Sequence, residues 1–395
     1  MLDSIYIGMS GLTSFSKGLS NISNNVANLN TPGFKSSELG FADLFYRYQY
    51  SGSGNQDGLP YQQGDGVKTG STSLKFTQGD FRQTGNDLDV AVDGQGFFIL
   101  VKDGKTFYTR DGQFKIDDSG LLTSTNDGAK VQGLVGGRVS DINITGLRSN
   151  SALATTLINF KGSLSTSSTQ FEVVNLIAFD SLGVQHQLKL EFTNDTANTP
   201  GRWTFKVLDG TTQISSGEVR YQGSGQLLSG FDKHTFSFAP GGGATAANLT
   251  LDFTGTSFFS SSASTMQFDT QNGRAAGFLT KTAIDADGFL NLTYSNGQVI
   301  KNQQLGLATF NNLGALQSQG NSRFAIFGHT SIALNVPGKQ AAGKLKINGI
   351  ELSNVNLAQE FSDLIIVQRA YQASSQVISA ANEMIQQLGE IRGRK

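Results

Sequence analysis

Seven-residue spacing of apolar side chains at both ends of the chain restricts its fold more than any other feature. Near the start, Ile5, Leu12, Leu19 and Val26 recur at heptad intervals, and Phe15, Ile22 and Leu29 fill the interleaved row, which has one gap, at Gly8. Near the end, Leu357, Leu364, Tyr371, Ile378 and Ile385 form one row and Val367, Ala381 and Leu388 the other, with Glu360 and Ser374 out of pattern. A helix carrying two such rows presents a continuous apolar seam that another helix must cover. The first helix should stop at Asn30, because Pro32 disfavours helical geometry at Thr31 and Gly33 completes a turn. The second should begin at Leu357, capped by Asn356 with Gln359 as its reciprocal partner.

Neither helix reads as self-sufficient. Gly8, Gly11 and Gly18 each cost about 1 kcal/mol of helix propensity, and Asn21, Asn24, Asn25 and Asn28 are also weak formers, so the first helix should order only when packed. The outer face of the second carries Gln368, Gln372, Gln376 and Gln387, with only Arg369 and Glu383 charged between Leu364 and Leu388. Solvated helices usually alternate Glu with Lys, so this face suits a crowded or channel-lining environment. The expectation is an assembly subunit and not an enzyme.

Between the helices the chain reads as antiparallel β. Gly is abundant (48), Pro scarce (5), and Phe (28) carries most of the aromatic content. Strand-like runs such as GFFILV (Gly96 to Val101), HQLKLEF (His186 to Phe192) and RWTFKVL (Arg202 to Leu208) alternate with Asp-Gly and Asn-Gly pairs, among them Asp103-Gly104, Asp111-Gly112 and Asn348-Gly349, which favour hairpin turns. The fold class expected is mainly β with terminal α-helices: nested antiparallel β domains, sandwich- or barrel-like, flanked by a coiled-coil-like helical domain. Composition shifts divide the chain into a helical assembly domain (1–30 with 355–395), an extended linker or arm (31–75), a β-rich core domain (76–150 with 275–354) and an inserted outer β domain (151–274).

Charge and candidate chemistry exclude several functions. A formal net charge of −1, with 15% of residues charged, offers no field for nucleic acid or an anionic membrane, and no stretch is apolar enough to insert in a bilayer. The absence of Cys removes disulfides and thiol chemistry. The N-terminal segment lacks a basic leader and an uninterrupted apolar run, so it is no Sec-type signal peptide. His186, His234 and His329 match no metal spacing. The turns at Asp285 and Asp117 lack the ligand series of a calcium loop, and GQG (Gly94 to Gly96) opens no helix. Asp87, Asp89 and Asp93 read as one side of an exposed edge and not as a glycosidase pair. No catalytic, cofactor or metal residue is assigned.

The segment NNVANLNTPGFK, with Asn24, Asn25, Ala27, Asn28, Asn30, Thr31, Gly33, Phe34 and Lys35, resembles the signature of the bacterial flagellar rod and hook family. DLDVAVDGQGFF (Asp87 to Phe98), FYTRDGQFKIDDSGLL (Phe107 to Leu122) and Val355 to Leu388 resemble the same family, in the same order. The resemblance implies a structural polymer whose terminal helices form an inner tube around an export channel, with β domains outside. The inserted domain implies the hook, a flexible joint transmitting torque from rod to filament. Implied partners are other copies of the chain, adjoining rod, hook-cap and hook–filament junction proteins, and the flagellar export apparatus. Implied location is the extracellular hook, reached without a cleaved signal peptide. The linker around YRYQYSGSGNQDG is long for a hook subunit and would brace neighbours. Rival readings are a distal rod subunit, or a secreted β-sandwich adhesin or hydrolase whose helices act as a clasp.

Overall fold

A computed structural model of the chain describes residues 2–49, 61–135, 138–339 and 342–393. It divides into two units, one made of Met1–Thr145, Thr282–Asn291 and Lys301–Lys395, the other of Gly146–Lys281 and Leu292–Ile300.

The first unit holds both helices, α1 (Leu2–Ala27) and α2 (Leu357–Gly393). They lie side by side and run in opposite directions: Gly8 faces Ser374 and Ile378, while Gly18 faces Val367. Two strand pairings bring these sequence-distant ends together, Phe81–Gln83 with Gly349–Glu351 and Val90–Asp93 with Lys344–Ile347. Its β core is built on the hairpin Phe97–Lys102 and Lys105–Thr109, closed by Asp103-Gly104 with positive φ at both residues, as a two-residue turn requires. Phe97, Ile99, Tyr108, Ala308, Leu316 and Phe324 bury against one another, and Phe76 packs edge-on against Phe97 and Phe324.

Several expectations change here. α1 ends at Ala27, and Asn28 to Gly33 form a hydrogen-bonded turn instead of a last helical turn reaching Asn30. The stretch expected as an extended linker carries two antiparallel ribbons, Ser37–Asp43 with Val67–Leu74 and Tyr46–Gln49 with Tyr61–Gly64. Asp111-Gly112 makes no hairpin: Asp111 is buried, and a Cβ at residue 112 would overlap the carbonyl of Val90, so that glycine serves close backbone approach. Asp89 is buried and held by Thr84 and Asn86, while Asp93 is exposed beside Lys346, so the three acidic side chains near Asp87 share no edge.

The second unit packs two four-stranded sheets. One is the meander Gln170–Phe179, Gln185–Asn194, Arg202–Asp209 and Thr212–Arg220; the other runs Lys233–Phe238, Ala247–Phe259, Leu157–Ser165, Gln267–Gln271. Alternation drives the packing: Leu188, Leu190 and Phe192 on one strand, and Trp203, Phe205 and Val207 on the next, all point inward. Phe160 stacks on Phe253 at 4.9 Å between centroids. Leu157–Ser165 pairs in parallel with Ala247–Phe259, a departure from the all-antiparallel expectation. About 80 residues of intervening chain supply the crossover that a parallel pair needs.

Candidate assembly surface

α1 uses two faces. Toward α2 it presents glycines: a Cβ at Gly8 would lie 2.7 Å from Ile378 Cγ1, one at Gly11 2.7 Å from Ser374 Oγ, and one at Gly18 3.3 Å from Val367 Cγ1. The gap at Gly8 leaves room for the Ile378 side chain and the out-of-pattern Ser374 sits against Gly11, so the two irregularities fall at one place where the backbones close in. Glu360, the other misfit, accepts a hydrogen bond from Asn25 Nδ2 at 3.0 Å, and burial holds its carboxyl above the usual range against that bond. Gly8→Leu should force the helices apart at an overpacking cost of about 1–3 kcal/mol. Circular dichroism should then show helix lost on mild heating while the β signal melts where it did before.

The other face of α1 carries the ribbon. Ser10 Oγ accepts from Val67 N at 3.2 Å, Asn21 and Asn25 both donate to the Ser37 carbonyl at 2.7 and 2.8 Å, and Phe15 meets Phe41 at 5.7 Å. The weak helix formers Asn21 and Asn25 therefore trade propensity for strand recognition.

Behind the helices lies a buried charged node. Lys35 Nζ sits 2.6 Å from Glu351 Oε1, both side chains being almost wholly excluded from solvent, and donates at 2.7 Å to the Thr77 carbonyl. Gly79 N donates to Glu351 at 2.9 Å, and Arg110 approaches the other carboxylate oxygen at 3.5 Å while stacking over Phe97. Burial lowers the affinity of both Lys35 and Arg110 for their protons, opposed by Glu351. Gly33 enters the same region at φ +64°, its N–H donating to the Glu351 carbonyl at 2.9 Å.

Next to the node, burial pushes the Asp111 carboxyl up to about 7, partly offset by a hydrogen bond from Gln113 N and reinforced by Asp89 and Asp127. The folded state holds this proton to higher pH than the unfolded chain does. Its contribution to stability is therefore full below about pH 4 and lost as pH rises through 7. Asp111→Asn should remove that loss, so the stability difference between variant and unmodified chain should grow by up to about 4 kcal/mol from pH 4 to pH 8 in urea titrations. A difference that stays constant across this range would contradict the assignment.

The residues expected on the seams distribute as follows. Ile22 is buried, and Ile5, Leu12, Phe15, Leu19, Val26 and Leu29 are half-buried on α1 or just beyond it. On α2, Ala381 is buried, Leu364, Val367 and Ile378 are half-buried, and Leu357, Tyr371, Ile385 and Leu388 are exposed. Beside them stand Phe361, Ile365 and Ile366, about half to two-thirds exposed (48%, 51% and 64%), with Val377 and Met384 further along and Tyr6 and Met9 on α1. One hairpin within one chain leaves this apolar surface uncovered, more than a solvated helix normally displays.

Of the signature residues, Asn25 pins the ribbon and Lys35 enters the node. Asn24, Asn28 and Thr31 bond one another in the turn, Phe34 meets Asn354 through its carbonyl, and Ala27 and Asn30 face outward. Asn356 does accept from Gln359 N at 3.2 Å, but the Gln359 side chain turns to Asp363, so only half of the expected cap forms. Sequence reasoning missed Glu351 and Arg110; no spacing marks Glu351, and Arg110 stood only inside a quoted motif. His186 lies between Asp180 and Asp209 in the second unit, and no group of three or more His, Asp or Glu side chains placed to hold a metal ion occurs among the described residues.

Comparison with known proteins covers most of this arrangement. Residues 5–35 match a family described as flagella basal body rod protein, and residues 91–166 the flagellar hook protein FlgE/F/G D1 domain. Residues 166–274 match the flagellar basal body protein FlaE D2 domain, and residues 348–391 the flagellar basal body rod FlgEFG protein C-terminal family. The flagellar hook protein FlgE of Salmonella typhimurium is 31% identical over 97% of this chain and 98% of its own. That of Treponema pallidum is 28% identical over 98% of both. The rod protein FlgG of Bacillus subtilis is 24% identical over 99% of this chain and 100% of its own. A crystal structure of the hook protein FlgE2 of Helicobacter pylori aligns with 69% of this chain and 99% of its own at a TM-score of 0.48 and 13% identity.

Proposed function

The chain belongs to the flagellar hook protein family, and from that premise we propose that its α1–α2 hairpins line the central channel of a tube built from many copies, with the β units outside. It is a structural subunit of the flagellar hook. Torque passes through the wall of such a tube, and flagellar export substrates pass through its bore. Adjoining rod, hook-cap and hook–filament junction proteins would meet the two ends of the polymer, and the subunit would leave the cell through the flagellar export apparatus without a cleaved signal peptide. The matched insert at residues 166–274 favours hook over distal rod.

The single observation that supports the channel-lining role is the exposed apolar surface of α2. Intrachain pairing already occupies one side of the helix, yet Phe361, Ile365, Ile366 and Met384 remain open. Neighbouring hairpins would cover them, and the uncharged amides between would face the bore. Purified full-length chain should form tubes visible by negative-stain electron microscopy, and a chain lacking residues 2–27 should form none. Tubes assembled from the truncated chain would refute the reading.

A further inference from the structure

We propose that a pocket at the α2 start receives the basic run Arg392, Arg394 and Lys395 of a second copy, joining hairpins head to tail along the tube. The inference rests on the polymeric reading above and adds a specific contact to it.

The pocket is a cavity of about 260 Å³ where α1, the first turns of α2 and the strand Ser37–Asp43 meet. Glu38, Glu360, Asp363 and Lys75 line its polar side, Ile366 and Val367 its apolar side. Three carboxylates face one ammonium: Lys75 bonds Glu38 at 2.9 Å, and both Glu360 and Asp363 act on it from further away. Asp363 takes hydrogen bonds from Gln359, and Glu360 from Asn25, both neutral donors. The site therefore carries two excess negative charges in a partly enclosed space. Aliphatic stems of Arg or Lys would lie along Ile366 and Val367 while their cationic heads meet the carboxylates.

The rest of α2 tells which cation comes. Between Leu364 and Leu388 it holds only Arg369 and Glu383, so its charge is concentrated toward the two ends, acidic at Glu360 and Asp363 at the start and, past Glu390, basic at Arg392, with Arg394 and Lys395 following in the sequence to leave that end net positive. Arg392 cannot reach the pocket of its own chain: α2 continues to Gly393, and 29 residues at 1.5 Å each place Arg392 about 44 Å from Asp363. A second copy is the remaining source within the homopolymer. A pocket at one end and its ligand at the other make a heterologous contact, which propagates an open filament instead of closing a pair. Basic residues also complement a helix C-terminus within one chain, and the test separates that role from docking.

The experiment measures the critical concentration for polymerisation of the full chain by sedimentation, over a series of NaCl concentrations. Glu38→Lys with Asp363→Lys reverses the pocket and leaves the Asn25–Glu360 bond in place; Arg392→Glu, Arg394→Glu and Lys395→Glu reverse the run. Each set alone should raise the critical concentration about tenfold or more, and the two together should return it to within about threefold of the unmodified chain. If the combined variant polymerises no better than the worse single set, or if either set alone has no effect, the docking is overturned. Should the pocket variant lose its fold by circular dichroism, neutral Gln at the three basic positions decides: the salt dependence of polymerisation must weaken, and an unchanged dependence overturns the proposal. An unmodified chain that never polymerises defeats the tube reading itself, whereas one that polymerises with indifference to reversal defeats only this contact.

Discussion

Glu351→Gln will destabilise the helical unit by about 3–5 kcal/mol in urea or thermal unfolding, because it strands Lys35 and Arg110 as buried cations without their shared anion. The pH dependence identifies the cause. Burial already depresses the Lys35 ammonium, and Glu351 supplies both opposing contributions, its charge and its hydrogen bond. Without Glu351 the folded state releases that proton at lower pH than the unfolded chain, so the variant's stability should climb as pH is raised toward 10. Lys35→Met should cost less, since Arg110 remains 3.5 Å from Glu351. A Glu351→Gln loss below about 1 kcal/mol, flat with pH, would mean that the node contributes no more than an exposed pair.

Gly33→Ala carries the second large effect, a loss of about 2–4 kcal/mol. The backbone there holds φ +64°, and a methyl group would overlap the backbone of Arg110 and Asp111. Gly128 separates the two causes, because it has nearly the same φ, +68°, with nothing within 4 Å of an added Cβ. Gly128→Ala should cost only the conformational part, about 1 kcal/mol. Equal losses at the two positions, measured by thermal unfolding, would show that the close approach at Gly33 carries no weight. The signature segment owes its constraint to these contacts, through which the turn after α1 locks onto the strand leading to α2.

Period-based reasoning read the helices well and their neighbours poorly. The heptad rows located both helices, and the Asn356 cap placed the start of α2 at Leu357. Regular alternation likewise marked the strands around Phe192 and Trp203, and a continuous apolar run marked the strand at Phe97. What the period could not convey was partner identity. Gly8 and Ser374 each looked like a fault in its own helix and make sense only against the opposite one, Gly8 under Ile378 and Ser374 against Gly11. Asn25 and Glu360 carry the same lesson in polar form. The ribbon in place of a linker was hidden because Gly, Ser and Thr interrupt the apolar pattern of strands whose stability comes from packing on α1 and not from their own propensity. Asp111 read as a turn residue because the groups that close over it, Gly33 and Asn126, are remote in sequence and invisible to any local window.

Electron cryomicroscopy of the assembled polymer, with helical reconstruction, addresses the central claim most directly. The account predicts antiparallel pairs of α-helices around an open axial channel, the exposed row Phe361, Ile365 and Ile366 buried between neighbouring hairpins, and the strands of both units lying outside them. A reconstruction in which β structure lines the channel, or in which the helices stand at the outer surface in contact with solvent, would contradict it.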